Sequence, residues 1–240
     1  ALIAIYSASE RAMIASGVQP DRITIVRGGS DQSRAITPAD TRVLESLGVP
    51  AGAPLVVQVS QHVQHKDPLT FVSAIDSARR RVPTVHALLV GDGPLRADVE
   101  REVRDRGLGA VLHVAGYRTD ADALLAAADV VTLSSEEDAL PSVLFDALFC
   151  RKPICATDAG GIPEIVEPGT SGLLTAVGDG PALGDSIANV LTDPVLAARL
   201  AAGAAARAPE FSIERSVQRT VAVLQRVLGA PVLGADGFST

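Results

Sequence analysis

Short apolar runs alternate with helical segments along most of the chain from residue 54 to residue 228. Apolar runs of this length are typical of buried strands, and the segments between them, roughly ten to fifteen residues long, are typical of helices. Strands and helices that alternate in this way form a parallel sheet with helices on both faces. The predicted fold class is therefore α/β, with a doubly wound parallel sheet. The predicted strands are residues 55–59, 85–90, 111–115, 129–133, 153–156 and 172–175.

Composition supports a folded domain and excludes several classes of function. Hydrophobic residues make up 47% of the 240 residues and the mean hydropathy is +0.28, enough for a sizeable core. The apolar runs are much shorter than a membrane-spanning helix. A net charge of −7 argues against an extended nucleic-acid surface, so no nucleic-acid partner is expected. Cys150 and Cys155 are expected to remain unbridged in a reducing compartment, which favours a cytoplasmic location.

The chain is expected to divide into three parts. Residues 1–52 begin directly in an apolar, strand-like run, and we interpret them as a linker and first β/α elements that continue from a missing N-terminal domain. Residues 53–230 are the predicted main domain, which ends in a long helix from about residue 212. Residues 231–240 are a predicted flexible tail.

The segment from residue 134 to residue 164 carries the most informative pattern. Pro141 is suited to the first position of a helix, because that position needs no backbone N–H. Residues 142–150 are apolar on nearly every face, which predicts a helix buried on all sides. Asp146 is the only charged residue in this helix. A buried carboxylate needs a partner, since an unpaired buried charge costs several kcal/mol.

Two interpretations of this segment remain open. In the first, it is an ordinary β-loop-α-β unit in which Asp146 pairs with a neighbouring Arg or Lys. In the second, it forms a polar ligand site at the carboxyl ends of the strands, where open α/β sheets place their ligands. Asp146 would point back toward Ser142 and the loop that contains Asp138, because helical side chains lean toward the N-terminus. Gly160 and Gly161 would let the backbone approach a ligand closely.

Lys66 follows the first strand of the main domain and immediately precedes a predicted helix. Asp67 is a suitable N-cap for that helix and Pro68 a suitable first residue. A cation beside free N–H groups at a helix start is suited to a phosphate. The alternative is a solvated surface lysine.

Other polar residues give weaker signals. His62 and His65 lack a third ligand at a metal-binding spacing. Asp120 and Asp122 resemble a metal-binding Asp-x-Asp pair, but they stand at a helix start, where acids are favoured anyway. No metal site is therefore expected. Tyr117 follows a strand and would either flank a base or cover the edge of the sheet.

Several segments together resemble a known family. They are SASERAMIASGV, ITIVRGGSD, KDPLTF, ALLVGDGPLR, VLHVAGYRTD, DALPSVLFDAL and KPICATDAGGIPE. In order and spacing they resemble the C-terminal, donor-binding domain of a retaining glycosyltransferase of the GT-B class, family 4. The resemblance extends over nearly the whole chain, and it implies a Rossmann-like half of a GT-B fold.

The resemblance also implies roles for individual residues. The family has a Glu-x7-Glu pair, whose first acid lies near the donor sugar and whose second binds the ribose. Asp138 and Asp146 occupy these positions, each one methylene shorter than Glu. Lys66 matches the lysine that binds the diphosphate, so Asp138 and Lys66 are the expected catalytic residues. The expected donor-binding residues are Gln61, Lys66, Gly91, Tyr117, Arg118, Asp138, Leu140, Pro141, Ser142, Asp146, Gly160 and Gly161.

The sequence departs from the family at several of these positions. Ser60, Gln61 and His62 replace a Gly-Arg-Leu motif, which removes an arginine that would bind the diphosphate. Such a charge-assisted contact contributes a few kcal/mol at most. Ala139 and Arg151 stand where the family has glycine.

The function implied by the resemblance is transfer of a hexosyl group, with retention of configuration, from a UDP- or GDP-sugar. No cofactor or metal is required, and the acceptor is expected to bind an absent N-terminal domain, through which any peripheral membrane contact would also occur. The family also implies that part of the apolar face of the last helix, at Val217, Val221 and Leu224, is exposed. Two alternatives remain: a non-catalytic nucleotide-binding or interaction module with a drifted site, and a sugar-nucleotide epimerase of the same architecture.

Overall fold

The computed structural model describes residues 1–31 and 37–229. The first part of the chain forms a small parallel sheet of β1 (Leu2–Ala4) and β2 (Ile23–Ile25), joined through helix α1 (Ser7–Ala15). Helix α2 (Thr41–Ser46) follows, and Asp40 caps it by accepting a hydrogen bond from the backbone N–H of Val43. The main sheet begins after α2.

Six parallel strands form the main sheet, and their predicted positions are confirmed to within one or two residues. They are β3 (Leu55–Val59), β4 (His86–Val90), β5 (Leu112–Gly116), β6 (Val130–Leu133), β7 (Ile154–Thr157) and β8 (Gly172–Thr175). Their spatial order is β5-β4-β3-β6-β7-β8, and every neighbouring pair is parallel. The chain therefore winds outward from β3 to one edge, returns to the centre at β6, and winds outward to the other edge. Ligands of such sheets bind where the winding reverses, here between the carboxyl ends of β3 and β6.

Helices connect the strands and continue to the end of the described chain. They are α3 (Pro68–Arg81), α4 (Arg96–Asp105), α5 (Ala121–Ala127), α6 (Ser142–Phe149), α7 (Ile162–Ile165), α8 (Gly180–Thr192), α9 (Pro194–Arg207) and α10 (Ile213–Leu228). Side-chain caps define several starts. Asp67, Asp179, Asp193 and Ser212 each accept a backbone N–H in the first turn of the helix that follows. The predicted start of α3 at Pro68 is confirmed, whereas the short helix α7 was not predicted.

Two apolar clusters cover the two faces of the sheet. Alternate residues of one strand point to opposite faces, so Val57 belongs to the first cluster and Val56 to the second. The first cluster includes Phe145 of α6 and Leu125 of α5, and the second includes Phe71 of α3. Helices thus cover both faces, and the prediction of a doubly wound parallel sheet is confirmed.

The prediction that α6 is buried on all sides is wrong. Leu144, Phe145, Ala147 and Leu148 are buried, but Ser142 is exposed and Asp146 is half-buried. The half-buried Asp146 lies toward residues 28–30 rather than inside the core, since Ser30 bonds its carboxylate. Pro141 also differs from expectation by one position: it is the N-cap, and the helix begins at Ser142.

The remaining expectations concern the last helix, the cysteines, the C-terminal residues and membrane-spanning segments. Val217 and Leu224 of α10 are each 43% exposed, as predicted, while Val221 is half-buried. Cys150 and Cys155 are both free. The predicted flexible tail, 231–240, lies outside the described residues. Across residues 1–31 and 37–229, no helix is both long and apolar enough to traverse a bilayer.

Candidate functional site

Lys66 and Asp138 meet at the carboxyl edge of the sheet, where the winding reverses. Lys66 ends a short 3-10 turn, Gln64–Lys66, that follows β3. Asp138 lies in the loop between β6 and α6. The ammonium Nζ of Lys66 donates to the carboxylate Oδ2 of Asp138, and both side chains are largely buried. Lys66 is therefore paired rather than solvated. The residue expected to bind the diphosphate, Lys66, is in direct contact with the residue expected near the donor sugar, Asp138.

Hydrogen bonds fix the backbone on both sides of this pair. The hydroxyl of Ser134, the residue after β6, donates to the carbonyl of Asp67 at 2.7 Å, and the buried amide of Gln58 donates to the same hydroxyl at 3.0 Å. The backbone N–H of Glu136 donates to the carbonyl of His65 at 2.9 Å. The loop after β3 and the loop after β6 thus form one bonded unit.

Gly160 and Gly161 pack closely against the backbone of Asp138 and Ala139. The N–H of Gly161 donates to the carbonyl of Asp138 at 2.7 Å. A Cβ added at Gly160 would lie 2.0 Å from that carbonyl oxygen, and one at Gly161 would lie 1.6 Å from the carbonyl oxygen of Ala139. Gly160 also has a φ of +52°, which favours glycine. These two glycines are needed for the close approach of the two loops.

Asp146 lies one turn into α6, on the half-buried face that also carries the exposed Ser142. Ser30 donates from its hydroxyl to Asp146 Oδ1 at 2.6 Å. Ser30 itself is held at the start of α10, because its N–H donates to the carbonyl of Phe211 and its carbonyl accepts from the N–H of Ile213. Ser30 is a contact that sequence reasoning missed, and no local signal connects two residues so distant in the chain.

The strand exits at β4 and β5 form the next part of the same edge. The N–H of Gly91 donates to the carbonyl of Gly116 at 2.8 Å, and a Cβ at Gly91 would lie 2.0 Å from the carbonyl oxygen of Ser60. Arg118 forms a two-pronged ion pair with Asp120, with both distances at 2.7 Å. The ring of Tyr117 is 79% exposed, so it does not cover the edge of the sheet.

His62 differs from its neighbours because it is buried and unsatisfied. Its side chain is 0% exposed, and neither ring nitrogen has a hydrogen-bond partner within the described residues. Burial lowers the pKa of His62 below its ordinary 6.5, and the Asp92 carboxylate offsets part of that shift. The imidazole is therefore neutral near pH 7. Gln61, the preceding residue, is exposed.

Within residues 1–31 and 37–229, no group of three or more His, Cys, Asp or Glu side chains is placed to hold a metal ion. Asp120 and Asp122 do open a helix, as expected, since α5 begins at Ala121. Glu164 is a further acid at this edge that sequence reasoning missed. Burial alone would raise its pKa, but hydrogen bonds from the Ser7 N–H and the Arg27 guanidinium lower it overall. Glu164 thus anchors the 160–164 segment to the first part of the chain.

Comparison with known proteins establishes the family. Residues 40–207 match the family model described as Glycosyl transferases group 1. The chain is 30% identical over 155 residues to the lipopolysaccharide core biosynthesis glycosyltransferase LpsE of Rhizobium meliloti, a match over 65% of this chain and 44% of LpsE. It is 30% identical over 213 residues to the 2-deoxystreptamine glucosyltransferase of Streptomyces kanamyceticus, over 86% of this chain and 55% of that protein. The chain belongs to the glycosyl transferases group 1 family and spans about half the length of these two relatives.

Solved structures agree on the fold. The crystal structure of Anabaena HepE in complex with UDP aligns with a TM-score of 0.84 and 27% identity, over 93% of this chain and 63% of HepE. HepE in complex with UDP-glucose aligns with a TM-score of 0.81 and 26% identity, over 95% of this chain and 63% of HepE.

Proposed function

We propose that the edge formed by Lys66, Asp138 and Asp146 is the donor site of a retaining glycosyltransferase that transfers a hexosyl group from a nucleotide sugar. The observation that supports this most directly is the convergence of Lys66 and Asp138, from the two halves of the sheet, at the point where the winding reverses. Relatives of this chain are glycosyltransferases, and HepE binds UDP and UDP-glucose. UDP-sugars are therefore the first donors to test.

Each residue has a chemical role in this proposal. The ammonium of Lys66 and the start of α3 bind the diphosphate, because both favour negative charge. Asp146 accepts hydrogen bonds from the ribose hydroxyls, and its half-buried position on α6 gives it access to a ligand. Asp138 lies nearest the diphosphate and contacts the donor sugar.

The proposed transfer step requires no added metal ion, since Lys66 offsets the negative charge of the leaving diphosphate. The bond between the anomeric carbon and the diphosphate oxygen breaks, and the acceptor oxygen attacks the same face of the sugar. The acceptor proton passes to a phosphate oxygen of the leaving diphosphate. Lys66 stabilises the negative charge that develops there, which is the kind of electrostatic stabilisation that contributes most in such steps.

The acceptor is proposed to bind an N-terminal domain that is not part of this chain. The exposed apolar residues of α10, including Val217 and Leu224, support this division, because an apolar helix face of this kind commonly packs against another surface. The identity of the acceptor would then depend on that domain.

Replacement of Lys66 by Ala tests the proposal. We expect UDP affinity to fall by about 1.5–3 kcal/mol, the usual contribution of a hydrogen bond to a charged group. Affinity for uridine should change much less, since uridine has no phosphate. Isothermal titration calorimetry with UDP, GDP, ADP and uridine measures both effects, and Lys152→Ala, at the opposite end of the sheet, is the matched control. Absence of binding to all three diphosphates at millimolar concentration would contradict the proposal.

A non-catalytic nucleotide-binding module is the second candidate. The exposed Gln61, at the position where the family has arginine, favours it. A module of this kind would bind UDP and UDP-glucose equally, whereas a donor site with Asp138 beside the sugar would distinguish them. Calorimetry with the two ligands therefore separates the candidates.

A further inference from the structure

The ammonium of Lys66, which the proposed site needs for the diphosphate, is already paired with the carboxylate of Asp138. Only 19% of the Lys66 side chain and 9% of the Asp138 side chain are exposed. Ser135 donates from its hydroxyl to the same carboxylate oxygen, Asp138 Oδ2, at 3.2 Å. The carboxylate is therefore oriented toward Lys66 by a second contact, and the two charges attract each other more strongly than a solvated pair would.

Backbone hydrogen bonds hold the chain on both sides of the pair in place. On one side, the carbonyl of His65 accepts from Glu136, which fixes the turn that carries Lys66. On the other side, the carbonyl of Asp138 accepts from Gly161, and Gly160 packs against the same peptide. The Asp138 carboxylate is therefore an internal anion held next to Lys66, and any other anion at Lys66 must compete with it or share the lysine.

We propose that Asp138 acts as an internal competitor of the diphosphate for Lys66, and that re-formation of the pair assists release of the nucleoside diphosphate after transfer. This inference rests on the proposed function of the site. A diphosphate carries more negative charge than one carboxylate, so it can displace Asp138. Its affinity is nevertheless reduced, because Asp138 then loses its cation and faces a second anion.

The test is the affinity for UDP of the whole chain carrying Asp138→Asn. The amide keeps the size of the side chain but bonds Lys66 more weakly. We expect the variant to bind UDP roughly tenfold more tightly than the wild type does, an effect near the low end of what a charge-assisted hydrogen bond contributes. Uridine should bind equally to both. Glu137→Gln is the matched control, since it removes the same charge from an exposed neighbour in the same loop and should leave UDP affinity unchanged.

A double-mutant cycle separates competition from general repulsion. In a Lys66→Ala background, Asp138→Asn should give little or no gain in UDP affinity, because there is no lysine to release. If the gain persists in that background, or if the wild type and Asp138→Asn bind UDP equally, the inference is wrong while the donor site stands. If the wild type binds no nucleoside diphosphate, the proposed function itself fails. Should Asp138→Asn melt early, Asp138→Ser provides the same comparison.

Discussion

The loops after β3 and β6 lie side by side at the carboxyl edge of the sheet, yet they differ in how well their polar groups are satisfied. In the loop after β6, Ser134 and Ser135 are buried and bonded, and Asp138 is paired. In the loop after β3, His62 is buried with no hydrogen-bond partner among the described residues, and Gln61 is exposed.

The two loops also differ in how their sequences depart from the family pattern that the resemblance implies. The loop after β6 and helix α6 carry Asp138 and Asp146, which the resemblance places at the two acidic positions of the family, and hydrogen bonds hold the loop in place. The loop after β3 carries the three residues that, by resemblance, replace a Gly-Arg-Leu motif, and one of them, His62, has a buried ring without a hydrogen-bond partner among the described residues. A buried polar group without a partner costs roughly 1–3 kcal/mol. Substitutions in the two loops should therefore have opposite effects on stability.

The largest effect is expected on ligand affinity at Asp146, on the helix that follows the better-satisfied loop. Asp146→Asn should reduce affinity for UDP by roughly 2–3 kcal/mol, because hydrogen bonds to a charged group are the stronger ones. The melting temperature should change little, since the amide oxygen can still accept from Ser30. Calorimetry measures the loss, and 2′,3′-dideoxy-UDP should show no such difference between the two proteins. A variant that melts much earlier yet binds UDP normally would make Asp146 a structural residue.

Removal of a hydroxyl from the better-satisfied loop should destabilise the fold. Ser134→Ala leaves the Gln58 amide and the Asp67 carbonyl with one partner fewer, at a cost of about 2 kcal/mol. Urea denaturation measures the free energy of unfolding. The exposed Ser142→Ala is the control and should cost little. Equal stability of the two variants would mean that water replaces the Ser134 hydroxyl.

Replacement of the unsatisfied ring should have the opposite sign. His62→Leu should stabilise the fold by about 1 kcal/mol at pH 8, because it removes a buried polar group without a partner. The gain should increase below pH 6.5. Below that pH the unfolded chain binds a proton at His62. The folded chain does not, because burial lowers the pKa of the His62 imidazole, so the stability of the wild type decreases as the pH falls. Denaturation at several pH values measures this, and a gain independent of pH would show that His62 does not titrate differently on folding.

The smallest effect is expected at Arg151, immediately after the helix that follows the better-satisfied loop. Arg151 has a φ of +54°, in the left-handed region that favours glycine. Arg151→Gly should therefore stabilise the fold by roughly 0.5–1 kcal/mol. Lys152→Gly, where φ is not positive, should have the opposite sign. If thermal denaturation shows both changes to be destabilising, the backbone strain at Arg151 is negligible.

Much of the fold follows from local chemistry. The bounds of β3 and the start of α3 agree with prediction to the residue, because an apolar run sets the strand while Asp67 and Pro68 set the start of the helix. The half-exposed face of α6 could not be predicted in this way. Apolar residues on nearly every face indicate a buried helix, but which face is covered depends on segments distant in the chain, here residues 28–30.

Prediction of the candidate site has the same limit. Strand ends place Lys66 and Asp138 at one edge of the sheet. Their direct pairing depends on how two loops pack together, and these two residues are 72 positions apart in the chain. The bond between Ser30 and Asp146 joins residues 116 apart, and nothing in either local sequence indicates it.

The reversal of winding at the centre of the sheet has a consequence for folding kinetics. Val56 of β3 pairs with Val130 of β6, whereas the other neighbouring strands pair over much shorter stretches of chain. Long-range pairings carry a larger loop-closure cost, and we expect this one to form late. Lys66 and Asp138 meet only when it has formed. A nucleotide bound at this edge should then slow unfolding while leaving the rate of folding nearly unchanged.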